Sequence, residues 1–349
     1  MSWKRNAIDA ACRLASRVAP RVPAIPAKPR SIFVLRNNDI GDLLVVTPLF
    51  AALRSTFPEA RIIAGVSTWN FDVLRDNPHV DEVLPLNAPW HNGQIRPQGL
   101  AAALRYIACS KEAASLARQN CDIGVDVLGS PQGSLLLMRA RIPWRLGVRG
   151  YAGGDAAAQQ CVDYDEDEHV GRAALRFAEL LGAKELPENR PQIYLPAAPA
   201  EHGAIVVAPG GGFAEKCWPL ENFAALLDRL APHRVIVIGG KRDRAAGAHL
   251  AAGRAHVEDD TARFSLCETF ALIAGARAVI CNSSMAMHAA AAFRKPCLVL
   301  LGSYFQDAAQ HAAQWACPET RVLGRSARHP EVWTPEEACP MLADLLAPP

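Results

Sequence analysis

What this chain lacks narrows its class before any motif is considered. No run among its 349 residues approaches the roughly 20 consecutive apolar positions needed to cross a bilayer. The first 30 residues have no continuous apolar centre of the kind a secretory signal carries. An excess of one charge is missing too. The 37 Lys and Arg nearly balance the 35 Asp and Glu, and a net charge of +2 gives no field that would recruit nucleic acid. Cysteine occurs ten times, yet no two form a C-x-x-C pair, and several sit in apolar runs such as "AVICN" and "KPCLVLL". They read as reduced, mostly buried thiols of a cytoplasmic protein, with no disulfide framework and no zinc site.

What is present describes a globular protein: half the residues are hydrophobic and 21% are charged. The length favours two domains over one core. From residue 31 short β-rich runs ("SIFVLR", "RIIAGV", "DEVLPL", "DIGVDVL") alternate with helical stretches near 42–56, 69–76 and 99–119. "WRLGVRG" predicts a further edge strand, so the sheet extends beyond four. Residues 151–168, rich in glycine, alanine and acids, break the rhythm, and the acidic run within them reads as a solvated loop before a helix at 169–181. The proline-rich "KELPENRPQIYLPAAPAEHG" (184–203) reads as an interdomain linker. Alternation then restarts with "AIVVAP", "RVIVIGG", "AVICN" and "CLVLLG", separated by helices at 219–230, 241–252 and 284–293.

This pattern argues for α/β architecture with two Rossmann-like domains built on parallel sheets. The expected boundaries are an N-terminal extension at 1–30, a first domain at 31–185, a linker at 186–203 and a second domain at 204–349. Ligands in such sheets bind beyond the carboxyl ends of the strands, which puts the expected site in the cleft between the domains. The extension has two readings of equal weight. Trp3, Ala7, Ala11, Leu14 and Val18 recur at helical spacing, with Lys4, Arg5, Arg13, Arg17 and Arg21 around the rest of the helix. That is a basic amphipathic helix suited to an anionic membrane surface, or equally a short helix packed on the domain or a frayed extension. Prolines at 20, 23, 26 and 29 then form a stiff connector.

Three stretches carry chemistry. The first, Asn37-Asn38-Asp39-Ile40-Gly41-Asp42, places two carboxylates where a strand hands over to a helix. Capping explains acids there, and so does a catalytic base; on local grounds capping leads. The second is "VVAPGGGFAEKCWPLENF", where Gly210, Gly211 and Gly212 stand between a strand and a helix. It is not the G-x-G-x-x-G dinucleotide fingerprint, so nicotinamide binding fits poorly. It suits a phosphate cradle of backbone amides, with Lys216 placed to face a diphosphate before Trp218-Pro219. The third is "AVICNSSMAMHAAAAF", in which Ser283 and Ser284 precede a helix carrying Met285 and His288. N-capping with a packed histidine and an anion site at a helix start are both open there.

Taken together, in this order and spacing, the three stretches resemble the family 9 glycosyltransferases, the ADP-heptose:lipopolysaccharide heptosyltransferases. The resemblance covers about residues 31–310. It rests on Gly41-Asp42, Thr47-Pro48, Phe57-Pro58-Glu59-Ala60, Pro209-Gly210 and Lys216-Cys217-Trp218-Pro219, with "HVGRAALRFAELLGA" and "VIVIGGKRD" in support. It implies the two-domain GT-B architecture and an inverting, metal-independent transfer of a heptose or related sugar from a nucleotide sugar, ADP-heptose, to a lipid-linked lipopolysaccharide core acceptor. The nucleotide sugar is a substrate and no cofactor is implied. Asp42 would be the general base, with Asp39 the rival carboxylate. Lys216, the amides of Gly210, Gly211 and Gly212, and those at Ser283, Ser284 and Met285, with His288, would hold the donor. Gly41, Arg36, Asp39 and Arg145 are the acceptor-side candidates, with Arg139, Arg141 and Arg149 as further cations. The protein would work in the cytoplasm, with peripheral contact at the inner face of the inner membrane, and the last helix "TPEEACPMLADLL" would cross back to the first domain.

The third stretch departs from the family pattern Asn-Asp-Ser-Gly-x-x-His. Aligned on His288, Ser283 stands where the donor-contacting acid is expected and Met285 where the glycine is expected. Two alternatives follow: the same fold with another sugar nucleotide or with a protein or natural-product acceptor, and a non-catalytic sugar-nucleotide-binding homologue.

Overall fold

The computed structural model describes residues 3–346 of the chain, with side chains from residue 9 onward. It separates into two compact units, residues 1–189 and 190–349. The first holds strands β1 (Ser31–Leu35), β2 (Arg61–Val66), β3 (Glu82–Pro85), β4 (Ile123–Asp126), β5 (Trp144–Arg149) and β6 (Gln160–Asp163). The second holds β7 (Ile205–Ala208), β8 (Val235–Val237), β9 (Val257–Asp259), β10 (Ala278–Cys281), β11 (Cys297–Leu300) and β12 (Thr320–Leu323). Every ladder is parallel, with registers such as Phe33 opposite Ile63 and Gly124. The first sheet runs β3-β2-β1-β4-β5-β6 and the second β12-β11-β10-β7-β8-β9. Read from each unit's own first strand, the two orders are the same doubly wound order, 3-2-1-4-5-6. Central strands "SIFVL", "IVVA" and "AVIC" are buried throughout, as they must be with helices on both faces.

This order reverses beside β1 and β4 in the first unit, and beside β7 and β10 in the second. Loops leaving such neighbours diverge to opposite faces and open a crevice at the carboxyl edge of the sheet. All three motif stretches leave from these four strands.

Several sequence expectations shift in detail. Six strands pair in the first sheet, and β6 lies within residues 151–168, ending where the acidic run begins. The helix expected at 69–76 is a 3-10 turn, Thr68–Val73. The long helix expected at 99–119 is two, Leu100–Cys109 and Lys111–Arg118, because the Ser110 side chain accepts from Ala113 N at 3.0 Å and starts a new helix. The C-terminal helix Pro335–Leu346 packs on β11 and on the helix Leu220–Leu230, with Ala338 and Leu342 in the core of the second unit. The segment between the sheets is anchored at two successive residues: Asn189 hydrogen-bonds with His169 (2.9 Å), and Arg190 holds Glu319 through two 2.9 Å bonds.

The N-terminal helix Trp3–Val18 packs on the first unit against the helix Pro131–Arg139 and the turn Asp155–Ala157. Its buried face is Cys12 and Ser16, with Cys12 in a cluster with Met138 and Ala157. The apolar stripe read from the sequence points the other way: Leu14 is 66% and Val18 88% exposed. The side chains of Trp3, Lys4, Arg5 and Ala7 lie outside the described residues. No helix among the described residues is long and apolar enough to cross a membrane. Five of the ten cysteines are buried: Cys12, Cys121, Cys281, Cys297 and Cys317.

Candidate active site

In the first unit β1 delivers Arg36 to the crevice, and the following turn starts the helix Ile40–Leu44. Asp39 stands at the N-cap in extended geometry, and Gly41 and Asp42 lie in the first turn. Asp42 Oδ2 accepts from Asp39 N (3.4 Å), the return half of a capping box. Its Oδ1 faces Arg36 Nη2 at 3.3 Å, while Arg36 Nε donates to the Asp42 carbonyl at 3.1 Å. The Arg36 side chain is 5% exposed and that of Asp42 is 30%. Asp42 is therefore a cap and also a solvent-reachable carboxylate held by a buried cation. The strand-to-helix loop is fixed by side chains from the 3-10 turn: Asn70 Nδ2 (2.8 Å) and Trp69 Nε1 (3.2 Å) both donate to the Asn38 carbonyl.

Two residues absent from the sequence expectations join this group. Asp126, at the end of β4, is buried and accepts from Ser130 N (2.8 Å) and Leu128 N (3.2 Å). Burial pushes its carboxyl up to about 6, against those amide bonds and the field of Arg36. His91 lies within electrostatic reach of Arg36 and Asp42, its ring hydrogen-bonds with Gln132, and its backbone is left-handed at φ 54°. Arg145, expected to meet an anionic acceptor, is turned inward instead. It is 1% exposed and donates to the carbonyls of Ala157 (3.0 Å), Pro20 (2.8 Å) and Ile142 (2.7 Å). Three carbonyls without strand partners need a cation there, and desolvation, then Arg21, lowers its pKa to about 10. Arg149 pairs with Asp163 at the surface.

In the second unit the loop from Pro209 to Lys216 and the turn after β10 are tied by one side chain. Asn282, fully buried, accepts from Trp218 N through Oδ1 (2.8 Å) and donates to the Pro209 carbonyl through Nδ2 (2.5 Å). Trp218 is itself buried, edge-on to Phe223, with Nε1 donating to the Trp333 carbonyl at 2.7 Å. The glycine loop and Lys216 are thus positioned by Asn282 and Trp218. Gly210 must lack a side chain, because a Cβ there would lie 2.6 Å from the Asp243 carboxylate; Gly212 is in open space. Lys216 Nζ stands over three aromatic rings, Phe213 at 5.1 Å, Tyr304 at 5.4 Å and Phe305 at 5.9 Å from their centroids.

Neither serine after β10 caps its helix. Ser284 occupies the N-cap of Met285–Ala292 without a side-chain capping bond. Ser283 Oγ instead lies 2.8 Å from Nε2 of His311, on the helix Ala308–Trp315. One turn on, Trp315 meets the buried His288 ring at 5.7 Å. Desolvation, then the fields of His288 and Lys216, push the His311 pKa down to about 4.

Comparison with known proteins follows the same lines. A family model described as glycosyltransferase family 9 (heptosyltransferase) matches residues 111–312. The chain belongs to glycosyltransferase family 9. Lipopolysaccharide heptosyltransferase 2 of Salmonella typhimurium is 25% identical over 302 residues, spanning 79% of this chain and 84% of that protein. Among solved structures, the E. coli ADP-heptose lipopolysaccharide heptosyltransferase II superposes with a TM-score of 0.70 at 21% identity, covering 90% of this chain and 98% of the other. A family 9 glycosyltransferase from Veillonella parvula gives 0.74 at 17% identity, covering 93% and 99%. The family 9 fold is thus the pair of Rossmann-like units described above, and the protein is a glycosyltransferase. In this family 9 chain the Gly-Asp, Pro-Gly…Lys-x-Trp-Pro and Asn-Ser-Ser stretches all sit at a switch point of their sheet. The sequence signal for Asn282 was its place at the strand end; His311 had none.

Proposed function

We propose that this glycosyltransferase transfers a heptose from ADP-heptose to a lipopolysaccharide core acceptor, with inversion and without a metal. Asp42 takes the proton of the acceptor hydroxyl, which then displaces the nucleoside diphosphate at the anomeric carbon. Arg36 orients the carboxylate and the capping bond from Asp39 N steadies its second oxygen. Lys216 and the amides of the Gly210 loop meet the charge that develops on the leaving diphosphate, which removes the need for a divalent ion. The observation that carries this reading is the Asn282 knot. It ties the Pro209 end of the glycine loop and Trp218, two residues after Lys216, to the start of the Ser283 turn beyond β7 and β10, which supports reading these loops as one anion site. The names of the relatives support heptose as the sugar and the lipopolysaccharide core as acceptor. Calorimetry with ADP-heptose, ADP-glucose and a UDP-hexose tests it. ADP-heptose should bind tightest, and a chain that binds the UDP-hexose and ignores ADP-heptose is not a heptosyltransferase.

The same proposal includes work at a membrane surface. Leu14 and Val18 are exposed on the N-terminal helix, Arg13 and Arg17 lie beside them, and the opposite face is already used for packing. Such a helix lies in an anionic lipid interface with its apolar stripe down, next to an acceptor that is itself lipid-linked.

A further inference from the structure

The half-buried Ser283 and the buried His311 form a polar pair whose chemistry differs from that of the acid the family pattern expects at 283. The His311 ring is 4% exposed and edge-on to Phe305 at 4.9 Å, so packing holds it against the serine. Its second nitrogen, Nδ1, is buried without a hydrogen-bond partner. The charged groups that act on it, His288 and Lys216, are basic, and a buried imidazole beside them stays neutral. A neutral imidazole has one donor and one acceptor, and a serine hydroxyl can serve as both. The pair can therefore turn either way. With Nε2 donating, the Ser283 hydroxyl is free to donate outward. With Nε2 accepting, Ser283 Oγ offers its lone pairs.

We infer that His311 is a specificity-determining residue of the donor site, acting through Ser283, and that the two form a neutral receptor for one hydroxyl of the donor sugar. The inference rests on the reading of the second unit as the donor site. A carboxylate there accepts only, and selects sugars by how well their hydroxyls donate to a charge. The Ser283–His311 pair carries no charge and reverses direction, so it accommodates a hydroxyl in more than one orientation and ranks related sugars less steeply. His311 holds the serine hydroxyl in place, and the ring's unbonded Nδ1 is the cost of burying it there.

Calorimetry with bare ADP, ADP-heptose, ADP-glucose and UDP-glucose tests the inference on the intact chain. His311→Phe keeps a ring against Phe305 and removes both nitrogens. It should leave ADP affinity within about twofold and weaken the preferred sugar nucleotide about five- to tenfold, the scale of one neutral hydrogen bond. Ser283→Ala should do the same, and the double variant should lose no more than either alone, because one contact is being removed twice. His311→Gln, which restores an amide nitrogen near the Nε2 position, should recover most of the loss. A purely structural role for His311 would weaken ADP and its sugars together and resist rescue by Gln, and that result overturns the inference. Should His311→Phe fail to fold, Ser283→Ala alone decides: unchanged preference for the sugar nucleotide over ADP overturns it. Wild-type protein that binds none of the three sugar nucleotides removes the proposed function, whereas binding with unchanged selectivity in both variants removes only the role of this pair.

Discussion

At Asp42 two readings of one residue turn out to be compatible. A helix cap needs an acceptor at the third position, and a general base needs a carboxylate that solvent and substrate can reach; one oxygen serves Asp39 N and the other faces Arg36. Replacing Asp42 by Asn keeps an acceptor for the cap and removes the base. Turnover should drop by about 10²–10⁴ while ADP-heptose affinity holds, and near-normal turnover in Asp42→Asn would leave the residue a cap and nothing more. Lys216 gives a second residue-scale prediction. It lies over Phe213, Tyr304 and Phe305, so its charge is already partly satisfied, and a diphosphate has to draw it from them. Lys216→Ala should weaken ADP binding, and the wild-type affinity should decline with added salt as ionic contacts do. Salt-insensitive binding that the substitution does not change would contradict a diphosphate contact. That Asp42 and Lys216 stand on loops leaving the central strands was legible from motif position. Arg145 was misread because its burial depends on carbonyls at 20, 142 and 157, which only the folded chain gathers around it.

Among the elements, the N-terminal helix shows how a periodic pattern names a stripe without naming its partner. Among its described side chains, Cys12 and Ser16 pack on the domain while Leu14 and Val18 face out. Removing the helix would uncover Met138 and Ala157, so point substitutions make the cleaner test. Leu14→Ser with Val18→Ser should leave the melting temperature within a degree or two and reduce sedimentation with phosphatidylglycerol vesicles several-fold, since each exposed side chain forfeits apolar burial in the interface. Undiminished vesicle binding would assign the exposed stripe no membrane role. The connector to the second unit carries a different interaction. Desolvation pushes the Glu319 carboxyl up, but the hydrogen bonds and field of Arg190, helped by Arg294, outweigh it and leave its pKa below the ordinary 4.5. A carboxyl lowered on folding stabilises fully above its unfolded pKa, and that contribution fades as pH falls through the lower folded value. Glu319→Gln should therefore cost about 1.5–3 kcal/mol at pH 7 in urea titrations and much less near pH 3. An equal cost at both pH values would mean that the charge of Glu319 is not what matters.

For the whole molecule, repetition of one strand order in both sheets explains why the halves looked alike in sequence, and why each brings its motifs to a reversal point. The second unit has its own core, from Ile205 and Trp218 to Ala338 and Leu342 of the C-terminal helix. A fragment of residues 190–349 should thus fold cooperatively and bind ADP; an aggregated or ADP-blind fragment would show that the core is incomplete without the rest of the chain. The sequence by itself determined the alternation, the parallel sheets and the loops that carry Gly41-Asp42, Gly210 and Ser283, because period, turn chemistry and motif spacing are written in contiguous residues. Tertiary structure alone decided which polar groups meet. Asn282 reaches Trp218 across 64 positions and His311 reaches Ser283 across 28, and no local propensity records such a partner. A buried polar atom is satisfied by whatever packing brings within about 3 Å, and packing is a property of the assembled layers.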